Sequence, residues 1–140
     1  MYKNPAMMAT EAALAFLTDV APFKPMIRLF GGEPFLHPEW RRVVARVREL
    51  GMFCTAVSNG QRLIRESEDV VLSGMLAVGI SLDTDRPVND ALRGKNTLAT
   101  VRQGLQDLRE AKLRLGFDTP RVEIYTRVHE GTYAHLADWA

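Results

Sequence analysis

Three short polar segments of this sequence carry groups suited to binding a small polar molecule, and each follows an apolar stretch. The segments contain Gly31, Gly32, Glu33 and Pro34, then Ser58 and Asn59, and finally Ser81 and Asp83. Two adjacent glycines leave peptide groups bare, so a ligand can hydrogen-bond to the backbone at close range. A carboxylate accepts a strong hydrogen bond from an ammonium group. A serine and an acid two residues apart on a strand share one face, a spacing that suits a diol.

Each segment also has a purely structural explanation. The Gly-Gly-Glu-Pro run is compatible with a sharp turn between a strand and a helix, and Asn59 with Gly60 is compatible with a loop. Asp83 can cap a helix or pair with Arg86. Three such segments at the ends of successive predicted strands favour a binding site over three unrelated turns.

Helices and strands are predicted to alternate along the chain. The apolar spacing predicts helices over residues 6–20, 39–50, 63–73 and 96–115, with a last helix beginning near residue 133. Strands are predicted over residues 26–30, 52–58, 76–83 and 121–128. Asn96 or Thr97 is expected to cap the longest helix, and residues 85–95 are expected to form a polar loop.

Strands separated by helices pair in parallel, which predicts an α/β fold with the helices outside the sheet. The chain supplies about half of the roughly 250 residues of an eight-stranded barrel, so it forms either an open sheet or an arc of a barrel. Apolar residues alternate with small or polar ones in the third and fourth strands, and Arg28 interrupts the first. The polar face is consistent with a ligand-holding lumen and equally with one solvated face of a sheet.

The composition indicates a single globular domain spanning residues 1–140. Apolar residues make up 46% and charged residues 25% of the chain. The formal net charge is +1, and basic residues are interspersed with acids, so the sequence shows no footprint for nucleic acid or for an anionic membrane. No apolar run approaches the ~18 residues of a membrane span, and the N-terminus lacks a signal-peptide pattern. A cytoplasmic protein is therefore expected.

The chain contains one cysteine, Cys54, within a predicted strand. It can form no disulfide within the chain and is expected to be a small buried residue. His37, His129 and His135 show no spacing with cysteines or acids that indicates a metal site, and we interpret them as ordinary turn or surface residues.

These segments together resemble the radical S-adenosylmethionine (SAM) superfamily. The similarity runs from IRLFGGEPFLHPEW through FCTAVSNGQRL and VGISLDTDRPVNDALRG to RVEIYTRVHEG, which is most of the chain. The specific element is GGEP after an apolar strand, and SNG and SLD follow at the next two strand ends in order.

The resemblance implies a partial barrel of about four parallel strands, an incomplete version of the six-stranded (βα) barrel of that family. It implies SAM as a cofactor and, in the complete protein, a 4Fe-4S cluster that reduces SAM to a 5′-deoxyadenosyl radical. By the same resemblance Gly31, Gly32, Glu33 and Pro34 meet the methionine moiety of SAM, Ser58 and Asn59 lie beside it, and Ser81 and Asp83 meet its ribose. A small-molecule or peptide substrate and an electron donor are further implications.

The sequence departs from the family in one respect that bears on chemistry. The hallmark CxxxCxxC is absent, and Cys54 cannot replace three cluster-binding thiolates. The first and last strands of the family barrel also have no counterpart here. We therefore expect an incomplete piece of a radical SAM core that is inactive by itself. A non-catalytic SAM-binding, nucleotide-binding or scaffold module is the alternative, and an unrelated α/β enzyme using Glu33 as its acid is a third.

Overall fold

The computed structural model describes residues 7–83, 86–128 and 133. In these residues helices and strands alternate as the sequence predicts, except that two helices instead of one precede the last strand. The helices are α1 (Thr10–Val20), α2 (Trp40–Glu49), α3 (Leu63–Leu72), α4 (Arg86–Arg93) and α5 (Thr97–Leu115). The strands are β1 (Met26–Leu29), β2 (Phe53–Ser58), β3 (Ala77–Ser81) and β4 (Arg121–Tyr125). Short 3₁₀ turns occupy Ala21–Phe23 and Pro34–Leu36.

The four strands form one parallel sheet in the order β1-β2-β3-β4. Each connection between neighbouring strands passes through at least one helix, as parallel pairing requires. The carboxyl ends of all four strands therefore lie along the same edge of the sheet. This edge is where the three polar segments of the sequence emerge.

The core lies between the sheet and the helices. Apolar side chains at helical spacing on α2 are buried, and so are most residues of the two central strands. Its deeply buried members include Val44, Val47, Cys54, Ala56, Leu63, Val70, Val78, Ile80, Val101 and Leu108. In register, Ile27 pairs with Cys54 and Ala56 with Val78, so these side chains share the face that the helices cover.

The opposite face of the sheet carries small and polar side chains on the last two strands, as the alternation predicted, and also the exposed side chains of Met26 and Phe53 on the first two. Arg28 pairs in register with Thr55, and Gly79 pairs with Glu123. We call this the inner face, because the helices lie on the other side. No helix in the described part of the chain is both long and apolar enough to cross a membrane.

One prediction about the segment before the longest helix was wrong, because the expected polar loop at 85–95 contains α4. Asn96 does occupy the N-cap position of α5, as one of the two predicted caps, but its side chain makes no capping hydrogen bond. The side chain that satisfies the helix start is the Asp90 carboxylate, which accepts the backbone N–H of Leu98 at 3.2 Å and that of Asn96 at 2.9 Å. Asn96 has a φ of 62°, so its backbone turns sharply while the carboxylate of the preceding helix satisfies the helix start.

Other element boundaries differ from the predictions by a few residues. Residues 1–6 lie outside the described part, and so do nearly all of the predicted last helix and two of the three histidines. The third, His37, is a turn residue as expected: its Nε2 lies 2.9 Å from the Met8 carbonyl oxygen, and its Nδ1 accepts the Glu39 N–H at 3.2 Å.

Candidate cofactor site at the strand ends

Glu33 connects the turn after β1 to the end of β2. Its Oε1 accepts hydrogen bonds from the Ser58 hydroxyl at 2.8 Å and from the Phe35 N–H at 3.2 Å. Its Oε2 accepts the Asn59 N–H at 2.7 Å. The carboxylate thus caps the 3₁₀ turn that begins at Pro34 and fixes it against the neighbouring strand. The structure therefore brings together the first two predicted segments.

Ser58 and Asn59 use much of their hydrogen-bonding capacity within this turn. Ser58 is only 2% exposed, and its hydroxyl both donates to Glu33 and accepts the Gly60 N–H at 2.9 Å. The Asn59 side-chain oxygen accepts the Gln61 N–H at 2.9 Å. Ser58 is therefore a buried residue that holds Glu33 in place. Asn59, by contrast, is half-buried, and its amide Nδ2 has no hydrogen-bond partner among the described residues.

An open hollow of about 600 Å³ adjoins this turn, within the size range of ligand sites. Its lining combines apolar side chains with the bare turn and is formed by Met7, Met8, Phe30, Gly31, Gly32, Glu33, Pro34, Leu36, His37 and Asn59. Gly31 has a φ of +148°, where a side chain would be strained. Gly32 has no such φ, and a Cβ there would meet no described atom within 4 Å. Neither backbone strain nor packing among the described residues requires glycine at position 32.

A second, smaller cavity of about 200 Å³ lies beside α4 and the start of α5. Asn59 lines both cavities, so the two meet at the end of β2. The polar groups of the smaller cavity include the side chains of Gln61, Arg93 and Arg127. Sequence reasoning missed Gln61 and Arg93, although both belong to the stretches that carry the resemblance.

Asp83 lies beyond the end of β3 and is completely buried. Its carboxylate accepts Arg93 Nε at 2.8 Å and the Arg127 backbone N–H at 2.9 Å, and its own N–H donates to Asn89 Oδ1 at 3.1 Å. Asp83 forms an ion pair with Arg93, whereas the partner named from the sequence was Arg86, whose side chain lies outside the described part. Burial acts to raise the pKa of Asp83, but the hydrogen bonds from Arg127 and Arg93 outweigh it, so the pKa lies below its ordinary value.

Ser81 ends β3 on the inner face, where it pairs in register with Tyr125 and is half-buried. It is therefore accessible from the inner face, whereas the Asp83 carboxylate is enclosed by protein donors. Both residues lie at the predicted strand end, but only the Ser81 side chain is accessible to a ligand on the inner face.

The inner face near Ser81 contains a group of charged and aromatic residues. The Tyr125 hydroxyl donates to Glu123 Oε2 at 2.7 Å. Acceptance of this hydrogen bond by Glu123, together with burial, raises the pKa of Tyr125, while the positive charge of Arg28 acts in the opposite direction. The alternation of polar residues in the sequence predicted this face but not these contacts.

The residues of this chain do not fit an iron–sulfur cluster. The sequence contains one cysteine, and Cys54 is 1% exposed on the helix-covered side of the sheet. Burial raises the pKa of its thiol to about 12, so the thiolate that a metal requires is disfavoured. The described residues contain no group of three or more histidines, cysteines and acids able to hold a metal ion.

Comparison with known proteins decides the family. The sequence model of the Radical SAM superfamily matches residues 2–120. The chain belongs to the radical SAM superfamily. The match includes all three strand-end segments of the site, from Gly31 to Asp83.

Several curated radical SAM proteins are similar in sequence. An Fe-coproporphyrin III synthase of Methanosarcina barkeri is 33% identical over 112 residues, which cover 78% of this chain and 28% of that protein. A pre-heme d1 synthase of Dinoroseobacter shibae is 33% identical over 112 residues, covering 79% and 27%. A GTP 3′,8-cyclase of Yersinia pestis is 28% identical over 118 residues, covering 81% and 35%. The chain thus spans between 27% and 35% of the length of these relatives.

Solved structures of radical SAM enzymes share the fold. Native anSMEcpe with bound AdoMet and Kp18Cys peptide superposes with a TM-score of 0.69 at 15% identity, covering 98% of this chain and 42% of that one. Native anSMEcpe with bound AdoMet gives a TM-score of 0.66 at 15% identity, covering 99% and 42%. At this identity the likeness establishes the fold alone, which is that of the radical SAM (βα) barrel.

Proposed function

We propose that this chain forms the SAM-binding part of a radical SAM enzyme. The observation that carries the proposal is the turn at Gly31-Gly32-Glu33, which the end of β2 holds open beside a hollow of about 600 Å³. A bare peptide pair next to a carboxylate is suited to an amino acid moiety, which offers both a carboxylate and an ammonium group. Gly32 supports this assignment because nothing in the described chain fills the space that its missing side chain leaves.

Glu33 retains room for one ligand hydrogen bond. A carboxylate has about four lone-pair sites, and described donors occupy three of them in this structure. The remaining site is on Oε2, the oxygen that accepts only the Asn59 N–H. We assign that site to the ammonium group of SAM, while the bare peptide groups of Gly31 and Gly32 bind the rest of the methionine moiety.

Of the remaining site residues, some are assigned to direct contact with SAM and others to holding those contacts in place. We assign Asn59 and Ser81 to contacts with SAM, Ser81 with the ribose, because both are partly accessible at the strand ends. Ser58 and Pro34 shape the turn that presents Glu33. Asp83 has an indirect role, since its carboxylate is completely buried, accepts hydrogen bonds from Arg93 and Arg127, and holds Arg93 at the wall of the smaller cavity.

The radical chemistry of the family needs three cluster-binding thiolates, which this sequence does not contain. We therefore assign this chain the binding and orientation of SAM, and residues outside this sequence the ligation of a cluster. The cytoplasmic location, the electron donor and the small-molecule or peptide substrate stay proposals for the whole protein.

A second candidate is a SAM-binding or scaffold module with no redox chemistry. The single, buried, high-pKa cysteine favours it. A scaffold that binds no cofactor would leave the bare glycine turn unexplained. SAM binding therefore distinguishes such a scaffold from part of a radical SAM enzyme and from a SAM-binding module without redox chemistry.

The test is an anaerobic calorimetric titration of the 140-residue chain with SAM and, separately, with 5′-methylthioadenosine. The second compound lacks the amino acid moiety. We expect SAM to bind and 5′-methylthioadenosine to bind at least about tenfold more weakly, because it offers Glu33 no ammonium group. Absence of SAM binding, or equal affinity for the two compounds, would contradict the proposal.

A further inference from the structure

His37 links the candidate site to the segment that precedes α1. The 3₁₀ turn Pro34–Leu36 has Glu33 at its N-terminal cap and His37 at its C-terminal cap. Glu33 fastens the turn to the end of β2, whereas the imidazole of His37 contacts the backbone of Met8. The turn is therefore held on two sides, by β2 through an acid and by the segment before α1 through a histidine.

Two backbone partners fix the tautomer of the His37 ring. The Glu39 N–H can only donate, and it lies 3.2 Å from Nδ1; the Met8 carbonyl oxygen can only accept, and it lies 2.9 Å from Nε2. The ring is therefore neutral, with its proton on Nε2, when both hydrogen bonds are made. A doubly protonated ring would point an N–H at the Glu39 N–H, so the two contacts exist together only in the neutral form.

Met8 lies at the edge of the hollow. It is exposed, and it lines both the hollow of about 600 Å³ and a neighbouring apolar cavity of about 160 Å³. Phe30, Pro34 and His37 also line both cavities, so these four residues form the wall between them. The hydrogen bond from His37 Nε2 therefore keeps Met8 in the wall of the hollow.

Other contacts between α1 and the start of α2 lie away from the hollow. The Thr10 hydroxyl donates to Glu39 Oε2 at 2.6 Å, and Arg42 lies 2.8 Å from Glu11. None of these residues lines the hollow. α1 thus has its own contacts with α2, whereas the hydrogen bond to His37 is the one that the Met8 backbone makes within the described part of the chain.

We propose that His37 is a positioning residue for SAM, whose neutral ring holds Met8 against the strand-end turn and so forms the wall of the hollow on the side of α1. The inference rests on the proposed function and adds a regulation of that site by pH, because protonation of the ring releases Met8. Histidine is the side chain that ordinarily changes its charge between about pH 5 and pH 8. SAM binding is therefore expected to weaken in mild acid.

The charged groups near the ring act on it in both directions. Glu39 favours the protonated form of His37, and Arg42, which pairs with Glu39 at 3.2 Å, opposes it. Glu11 contacts Arg42 from α1, and Glu33 lines the same hollow as His37. Because Glu33 and SAM itself also titrate, the effect of pH on His37 has to be measured as a difference between two proteins.

The test is an anaerobic calorimetric titration of the full chain with SAM at about pH 7.5 and at about pH 5.5. His37→Asn keeps an acceptor for the Glu39 N–H but is too short to reach Met8. His37→Gln has an amide N–H that can occupy the position of Nε2 and restore the contact with Met8. Thr10→Val is the matched control, since it removes a contact between α1 and α2 that lies away from the hollow.

At the higher pH we expect His37→Asn to bind SAM about fivefold more weakly than the wild type, and His37→Gln and Thr10→Val to stay within about twofold of it. At the lower pH the gap between the wild type and His37→Asn should close, because protonation has already broken the contact in the wild type. Without SAM, the ¹H–¹⁵N heteronuclear NOE of the Met8 amide should fall in His37→Asn and recover in His37→Gln.

Three results would overturn the inference: equal SAM affinity in the wild type and His37→Asn, an equal loss in Thr10→Val, or a gap between the wild type and His37→Asn that is the same at both pH values. If His37→Asn binds SAM fully while Glu33→Gln does not, the proposed function stands and the role of His37 is lost. Failure of the wild type to bind SAM counts against the proposed function. The SAM-free NOE then decides whether His37 anchors Met8, and an unchanged NOE in His37→Asn rejects that anchor.

Discussion

Replacing Glu33 with Gln should weaken SAM binding by roughly 1.5–3 kcal/mol, which is the value of one hydrogen bond to a charged group. Gln retains the shape of the side chain but removes the charge that meets the ammonium group. Its amide NH₂ also faces the Ser58 hydroxyl or the Asn59 N–H, both of which donate to Glu33 in the native turn. Anaerobic calorimetry of Glu33→Gln against the wild type measures the loss directly.

Glu39→Gln is the matched control for this experiment. Glu39 is also an acid at the start of a helix, and it accepts the Thr10 hydroxyl at 2.6 Å, but it does not line the hollow. Its replacement should leave SAM affinity unchanged while removing a comparable local contact. Equal SAM affinity in Glu33→Gln and the wild type would remove Glu33 from the site.

The second large effect is expected in stability. Asp83→Ala should lower the free energy of unfolding by about 3 kcal/mol, because removing one partner of a buried ion pair leaves the other unsatisfied. This is the lower end of the usual range for buried pairs, and we choose it because the Arg93 side chain is 19% exposed and can recover some hydration. The Arg127 N–H loses its acceptor as well. Urea unfolding at neutral pH measures the difference.

The same pair makes a prediction about acid. The folded-state pKa of Asp83 lies below its ordinary value of 3.8. Its contribution is therefore fully present above the unfolded-state pKa and is lost as the pH falls through the folded-state pKa. The stability gap between the wild type and Asp83→Ala should stay constant from neutral pH to mildly acidic pH and close only in stronger acid. Glu110→Gln, which changes an exposed acid on α5, should show no such gap, and a gap that widens in acid would contradict this account.

The fold could be predicted where apolar residues determine the structure. Trp40, Val43, Val44 and Val47 recur at helical spacing, and all four are buried in α2. The parallel order of the strands followed from the helices between them. The predictions failed at α4, because polar contacts fix that segment: Asn89 accepts the Asp83 N–H, and Asp90 caps α5. Hydropathy patterns carry no information about such contacts.

The sequence predicted which strand ends form the candidate site, but it did not predict the role of each residue there. The sequence indicated that Glu33, Ser58 and Asn59 would meet, and they do. It did not show that Ser58 is buried behind Glu33, or that Asp83 is enclosed by Arg93 and Arg127. These assignments depend on which donors reach each carboxylate, and residues distant in sequence provide those donors.

The most direct test of the central claim follows the backbone amides of the ¹⁵N-labelled chain by nuclear magnetic resonance during a titration with SAM. If SAM binds at the turn between β1 and α2, the amides of Gly31, Gly32 and Asn59 should shift most and saturate together. Amides at the carboxyl end of α5 and just beyond it, such as those of Leu113 and Phe117, should not move. Saturable shifts confined to other regions, with Gly31 and Gly32 unchanged, would contradict the claim that these strand ends bind SAM.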